Sequence, residues 1–192
     1  MRITGGELRG RNLKVPKSDE IRPTQDRVRE AIFNIIRCEL AGASFLDLFA
    51  GSGAVGIEAL SQGAARATFV EQSRKHAAVL NENLASLITS HPSTLPPFQP
   101  PSVVVADVYR WIASYVGEPF DIVFADPPYA LGEEKGYASV LKTLSERNVV
   151  KVDGLFIAEM TAVQKAEETP GWELLRDRAY GKTRICIWRR KV

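Results

Sequence analysis

Between residues 44 and 160 short apolar runs alternate with stretches whose apolar residues recur every three or four positions. The runs are SFLDLF, RATFVE, SVVVAD, FDIVFAD and GLFIAEM. Between them lie AVGIEALSQG, SRKHAAVLNENLASLI, VYRWIASY and GYASVLKTLSE. A short run of apolar and β-branched residues predicts a strand buried on both faces, and the longer spacing predicts a helix with one apolar stripe. Alternation at this interval predicts an α/β fold, a mostly parallel sheet with helices on both faces.

The ends of the chain follow another pattern. MRITGGELRGRNLKVP reads as two short extended pieces around Gly5, Gly6 and Gly10, a basic β-hairpin. Thr24 then caps a helix in which Val28, Ile32, Ile35, Ile36 and Leu40 keep helical spacing until Gly42. The tail, WELLRDRAYGKTRICIWRRK, has two extended segments with a turn at Gly181, an antiparallel pair closing one sheet edge. Ser90–Ser102 holds five prolines, too many for a helix or an inner strand, and reads as a surface loop. The expected organisation is an appendage over 1–40, hairpin and helix, on a catalytic domain over 41–192.

Composition narrows the class. The chain has 192 residues, 45% of them apolar and 25% charged, as in an ordinary globular domain. No apolar run approaches the roughly 20 residues of a membrane span, and the N-terminus has no secretory apolar core. Cys38 and Cys186 stand in no metal-binding spacing and read as small core residues of a reducing compartment, the cytoplasm. His76 and His91 read as surface residues, and no metal is expected. The net charge of +2 hides an asymmetry. Residues 1–40 carry 9 Lys and Arg against 6 Asp and Glu, residues 41–170 carry 9 against 15, and residues 171–192 carry 7 against 2. Basic ends around an acidic middle suit a polyanionic partner, the plain alternative being solvated termini.

Gly51-x-Gly53-x-x-Gly56 lies between a strand and a helix, and Glu71 ends the next strand. Such a loop lets a ligand approach the backbone at the carboxyl ends of parallel strands, and the acid then accepts from two ribose hydroxyls. Asp47, inside the first strand, would repel a pyrophosphate but suits an ammonium group, directly or through a water. Adenosine joined to an amino acid without phosphate is S-adenosylmethionine. Asp107, at the end of the third strand, is placed to accept from the adenine amino group, although it and Asp47 also fit helix caps.

The fourth strand ends in Asp126-Pro127-Pro128-Tyr129. Two prolines remove two backbone donors and fix two φ angles, which leaves carbonyls directed into the crevice. Asp126 and the Pro127 carbonyl then form a pair of acceptors matched to the two N–H groups of an exocyclic amine. Tyr129 stacks on the base that carries it.

The glycine loop and DPPY together resemble the amino-methyltransferases of the Rossmann-like class I fold, which use S-adenosylmethionine. RGRNLKVP, RPTQDRVREAIFNII, FLDLFAGSGAVGIEALSQGA, FVEQS, DIVFADPPY and YGKTRICIW, in this order, resemble the RsmD-type family over nearly the whole chain. The resemblance implies a seven-stranded, mostly parallel sheet. It also implies methylation of the exocyclic N2 of one guanine (the guanine 966 type) in bacterial 16S rRNA, on an assembled small-subunit particle. By the same resemblance Asp126, Pro127, Pro128 and Tyr129 hold the target amine. Thr24, Asp47, Phe49, Gly51, Ser52, Gly53, Glu71, Gln72, Asp107 and Val108 line the cofactor, with Arg22 beside them. Arg9, Arg11, Lys14, Arg22 and Arg27 then meet RNA phosphates, as does Arg29, although Arg27 and Arg29 equally fit a solvated helix face. A monomer without metal or membrane contact is expected. The proline-rich stretch from Ser90 to Pro101 is longer than the family's usual link.

Four other readings share parts of this pattern. A DNA adenine-N6 methyltransferase uses the same amine chemistry but adds a target-recognition region. A protein glutamine-N5 methyltransferase typically shows Asn where Asp126 stands. A NAD-binding oxidoreductase leaves Asp47 and DPPY unexplained. A non-catalytic RNA-binding module would not need the cofactor site.

Overall fold

The computed structural model describes residues 1–15, 26–89, 99–127 and 137–192. Seven strands form one sheet: β1 (Ser44–Leu48), β2 (Arg66–Glu71), β3 (Ser102–Val105), β4 (Phe120–Ala125), β5 (Val150–Thr161), β6 (Trp172–Tyr180) and β7 (Thr183–Arg190). Their order is β3-β2-β1-β4-β5-β7-β6. The first five are parallel, and β7 runs antiparallel between β5 and the edge strand β6. This is the seven-stranded Rossmann-like sheet of class I methyltransferases. The order reverses between β1 and β4, where open α/β sheets collect their ligands.

The inner apolar runs became strands because the sheet is covered twice, and all five residues of β1 are buried. The SVVV run, expected to be buried on both faces, forms the edge strand β3 with none of its residues buried. Phe45, Ile122, Phe124, Leu155, Ile157, Ile185 and Ile187 form one core. It packs with helices α1 (Asp26–Ile35), α2 (Arg37–Leu40), α3 (Ala54–Ser61) and α4 (Arg74–Thr89). Leu46, Leu48, Val70, Val123, Phe156 and Trp188 form the other core, with α5 (Val108–Ala113) and α6 (Tyr137–Glu146). Each such buried side chain contributes about 1.5–3 kcal/mol. Among the described residues no helix is long and apolar enough to cross a membrane.

Several expectations need correction. The helix expected to run unbroken to Gly42 bends at Ile36 into α1 and α2, and Cys38 there is exposed, while Cys186 is buried. The N-terminal hairpin is reduced to a single antiparallel bridge, Arg2 to Asn12, flanked by Ile3 N donating to Arg11 O and Leu13 N to Met1 O. Gly10 N donates to Ile3 O within the arm, and the arm also docks on α3: Glu7 N donates to Ser61 O, and Gly6 lies so close that a Cβ would stand 1.8 Å from that carbonyl. Strand β5 begins before GLFIAEM, because Val150 already pairs with Phe120 ahead of a bulge that resumes at Leu155.

Candidate active site

Strand β1 delivers its chain into the crevice at Phe49, whose φ of 61° is left-handed, a conformation that costs a non-glycine residue about 1–3 kcal/mol. The edge of its ring packs on Tyr109 at 5.7 Å. Each glycine that follows has a distinct reason. Gly51 has a φ of 54°. Gly53 has a φ of 79°, and a Cβ there would sit 2.1 Å from Leu80 Cδ1. Gly56 would place one 2.3 Å from the Phe69 ring, so its absence lets α3 close on β2.

Two acids, Glu71 and Asp47, bond this loop and its helix, and a third, Asp107, stands at the end of the segment after β3. Glu71 is buried, its Oε2 accepting from Gly51 N at 2.8 Å and its Oε1 from Ser73 N at 2.7 Å, with His76 Nδ1 3.6 Å away. Each carboxylate oxygen keeps a second lone pair for a ligand donor. His76 is therefore half-buried beside the acid rather than a plain surface residue. Asp47 is 1% exposed and accepts from Gly56 N at 2.8 Å, fixing the first turn of α3. Burial outweighs that bond and, with the nearby Glu71 charge, pushes its carboxyl up to about 8. Enclosed in this way, Asp47 has no open face for a direct salt link. Asp107 caps α5, Oδ1 accepting from Arg110 N at 2.9 Å, so the helix-cap reading holds for that oxygen. Val108 and Ser52 are buried and Gln72 is exposed.

Ala125 pairs with Leu48 on one side and Ala158 on the other, so Asp126 and Pro127 emerge between β1 and β5, at the switch point. Asp126 is half-buried and Pro127 buried. A narrow apolar cleft opens beside them, lined by Phe49, Val108, Tyr109, Ile112, Pro127 and Tyr137. Tyr137 donates its hydroxyl to Glu159 O at 2.8 Å. Burial, then the Asp126 charge, push its phenol far above the ordinary range, so it stays a neutral donor. Pro128, Tyr129, Arg22, Thr24, His91 and the prolines at 92, 96 and 97 lie outside the described residues.

The residues expected to meet phosphate separate into two groups. Arg9 and Arg27 are exposed, and Lys14 is exposed but paired with Glu82 at 2.7 Å. Arg29 was expected on a solvated face or against phosphate and is neither. Its side chain is 0% exposed, with Nε donating to Glu58 Oε2 and Nη2 to Asp26 Oδ1, both at 3.0 Å. The fully buried Glu58 also accepts from Thr4 N at 2.9 Å, Thr4 Oγ1 at 3.0 Å, Gly5 N at 2.6 Å and Gln62 Nε2 at 2.8 Å. This buried hub ties the N-terminal arm to α3, the helix that leaves the glycine loop.

A family model described as "Conserved hypothetical protein 95" matches residues 1–189. The "Ribosomal RNA small subunit methyltransferase D" of Escherichia coli K12 is 36% identical over 194 residues, covering 100% of this chain and 91% of that protein. The chain belongs to this RsmD-type family. The relative of the same name from Haemophilus influenzae is 34% identical over 183 residues, covering 94% of this chain and 89% of its own. Among solved structures, "Putative methyltransferase yhhF from Escherichia coli" superposes with a TM-score of 0.84 at 34% identity, over 100% of this chain and 98% of that chain.

In this RsmD-type chain several site-building residues were not recognised from sequence. Asn83, 3% exposed on α4, accepts from Lys14 N at 2.8 Å and donates to Lys14 O at 3.0 Å and Ser52 O at 2.9 Å. It thereby joins the arm to the glycine loop. Its only signal was a polar residue on the apolar stripe between Leu80, Leu84 and Leu87. Glu58 gave a similar signal, a charge inside the apolar run of α3. Tyr109 and Tyr137 gave none beyond ordinary helix patterning.

Proposed function

We propose that this chain transfers a methyl group from S-adenosylmethionine to the exocyclic N2 of a guanine in small-subunit ribosomal RNA. The observation that carries the reading is the register of β1 with β4. Leu48 pairs with Ala125, so the glycine loop and Asp126-Pro127 leave neighbouring strands at the same height. A cofactor cradle and a paired acceptor for an amine therefore face one crevice. The names of the relatives, which specify the small ribosomal subunit RNA, support the substrate class.

The residues present fit the cofactor. The unused lone pairs of Glu71 take the ribose hydroxyls, and the cleft of Phe49, Val108, Tyr109 and Pro127 takes a flat apolar ring. Asp107 Oδ2 stands ready for an adenine amino group. Asp47 acts through Gly56 and the loop amides, and reaches an ammonium only by way of a water. When bound, the cofactor supplies a methyl group already activated on a sulfonium.

Asp126 and the Pro127 carbonyl accept from the two N–H groups of the guanine amine, which draws the nitrogen lone pair out of conjugation and aims it at the methyl group. Both acceptors stabilise the positive charge that develops on nitrogen, and Asp126 is placed to receive the proton released. The target amine is thus oriented and kept dry without a separate strong base. Tyr129 stacks on the base in this reading, and the exposed Arg9 and Arg27 meet phosphates elsewhere along the same RNA.

The test is transfer of a labelled methyl group to undermethylated small subunits and to deproteinised rRNA in parallel, with the product nucleoside identified by mass spectrometry. N2-methylguanine at one position is expected. Methylated adenine, or label in protein amides alone, would overturn the reading.

A further inference from the structure

The C-terminal hairpin is the most basic part of the chain, and its cations divide into those engaged with partners and those, Arg176, Arg178 and Lys182, that are exposed without an ion pair among the described residues. Toward the amino end they are engaged: Arg189 with Glu39 at 3.3 Å, Lys191 with Glu173 at 2.6 Å, and Arg190 with Asn148 Oδ1 at 2.8 Å and with Val150 O. Arg184 is paired with Asp177 and donates to Ala162 O. Toward the carboxyl end, Arg178 and Lys182 are exposed and have no ion pair among the described residues.

Register fixes where these two lie relative to the chemistry. Arg178 pairs with Ile185, which pairs with Glu159, the residue after the one opposite Ala125. Arg178 therefore shares a transverse row with Asp126, three strand spacings away, or about 14 Å. Lys182 stands in the turn just above, its carbonyl accepting from Ala162 N at 3.0 Å. That bond joins the turn to the segment after β5, where Lys165 is also exposed and without an ion pair among the described residues. Of the acids nearby, Asp177 holds Arg184 and Glu159 is buried, while Glu167 and Glu168, just after Lys165, are exposed in the segment leading back toward Trp172.

We propose that Lys165, Arg178 and Lys182 form a phosphate-binding shelf for the RNA strand a few nucleotides from the target base. The N-terminal arm is bonded to α3 and α4 on the β1–β2 side, so the shelf and the arm grip the substrate from opposite sides of the β1–β4 crevice. Neither surface reads sequence. Each supplies salt-dependent affinity and sets which nucleotide reaches Asp126. The proposal rests on RNA being the substrate.

The experiment uses the full chain carrying Lys165→Glu, Arg178→Glu and Lys182→Glu. The comparison is Arg147→Glu, an exposed cation at the amino end of the sheet. The expected result is a KM for small subunits raised about 10–100-fold, with kcat and S-adenosylmethionine affinity within a few-fold of wild type. The salt slope for binding a short single-stranded RNA falls by about 2, at roughly 0.7 per lost phosphate contact. The conservative set Lys165→Arg, Arg178→Lys and Lys182→Arg restores both. A triple variant indistinguishable from Arg147→Glu, beside an active wild type, would overturn the shelf alone. A wild type that methylates no RNA would overturn the substrate reading and the shelf with it. A raised KM for subunits with an unchanged salt slope on RNA would also overturn the shelf, by assigning the surface to an acidic protein partner.

Discussion

The amino end of the sheet and the crevice at the carboxyl ends of β1 to β3 use charge in opposite ways. At the amino end carboxylates meet cations. Burial raises the Asp121 carboxyl, but bonds from Lys151 at 2.7 Å and from Ser44 Oγ and N at 2.6 and 2.9 Å hold it below the usual range. Arg189 with Glu39 and Lys191 with Glu173 extend that neutralised belt. At the carboxyl end Asp47, Glu71 and Asp107 accept from backbone N–H groups of Gly56, Gly51, Ser73 and Arg110, and among the described residues none meets Lys or Arg. Charge met by charge is consumed in building the fold. Carboxylates held by amides, as Glu71 and Asp107 are, stay oriented with lone pairs left for a ligand, while the enclosed Asp47 serves the loop.

The largest expected effect lies between these ends, at the buried hub. Glu58→Leu removes the fully buried carboxylate that Arg29 Nε meets, leaving the half-buried Asp26 to face the guanidinium, and should cost about 3–5 kcal/mol in denaturant unfolding. A smaller loss for this variant than for an amino-end ion pair would break the contrast. Next comes Asp126→Ala, for which single-turnover transfer should fall about 10²–10³-fold while calorimetric cofactor affinity stays within a few-fold. Retained transfer would remove Asp126 from the chemistry. Glu71→Ala should raise the cofactor Kd about 10–100-fold, the loss of charge-assisted hydrogen bonds to the ribose. Unchanged affinity would mean the acid serves the loop alone.

Asp47 gives a pH signature. Its folded carboxyl titrates near 8 against 3.8 for the ordinary group, so the apo fold binds an extra proton across that window. Its contribution is fully present below the lower value and is lost as pH rises through the upper one. Asn can accept the same Gly56 bond without titrating. Melting curves of the apo protein should therefore show Asp47→Asn gaining on wild type from about pH 5 to about pH 8. A constant difference would show that Asp47 is already ionised. The smallest effect belongs to the amino end, where Lys191→Ala breaks an exposed ion pair and should leave the denaturant midpoint unchanged within error.

The inner strands were legible because burial on both faces leaves mostly apolar residues, and β1 needs no knowledge of its neighbours to be recognised. The glycine loop was legible for a related reason, since backbone approach and left-handed φ leave few residues to choose from. The N-terminal arm was legible in part. Its two extended pieces do meet antiparallel at Arg2 and Asn12, but its bonds to Ser61 and Glu58, more than fifty residues away, follow from no local pattern. Arg29 failed in the same way, because an arginine on a helix reads as solvated until its buried partner is placed. The acids were found by position, but their bonds to Gly56, Gly51 and Arg110 belong to tertiary geometry.

The most direct test of the account is a calorimetric titration of one preparation with S-adenosylmethionine and with NAD. The amide-held acids of the carboxyl end predict saturable one-to-one binding of S-adenosylmethionine, weakened by Glu71→Ala, and no heat with NAD. Binding of NAD with S-adenosylmethionine silent would contradict it, because the same loop would then be holding a pyrophosphate beside Asp47.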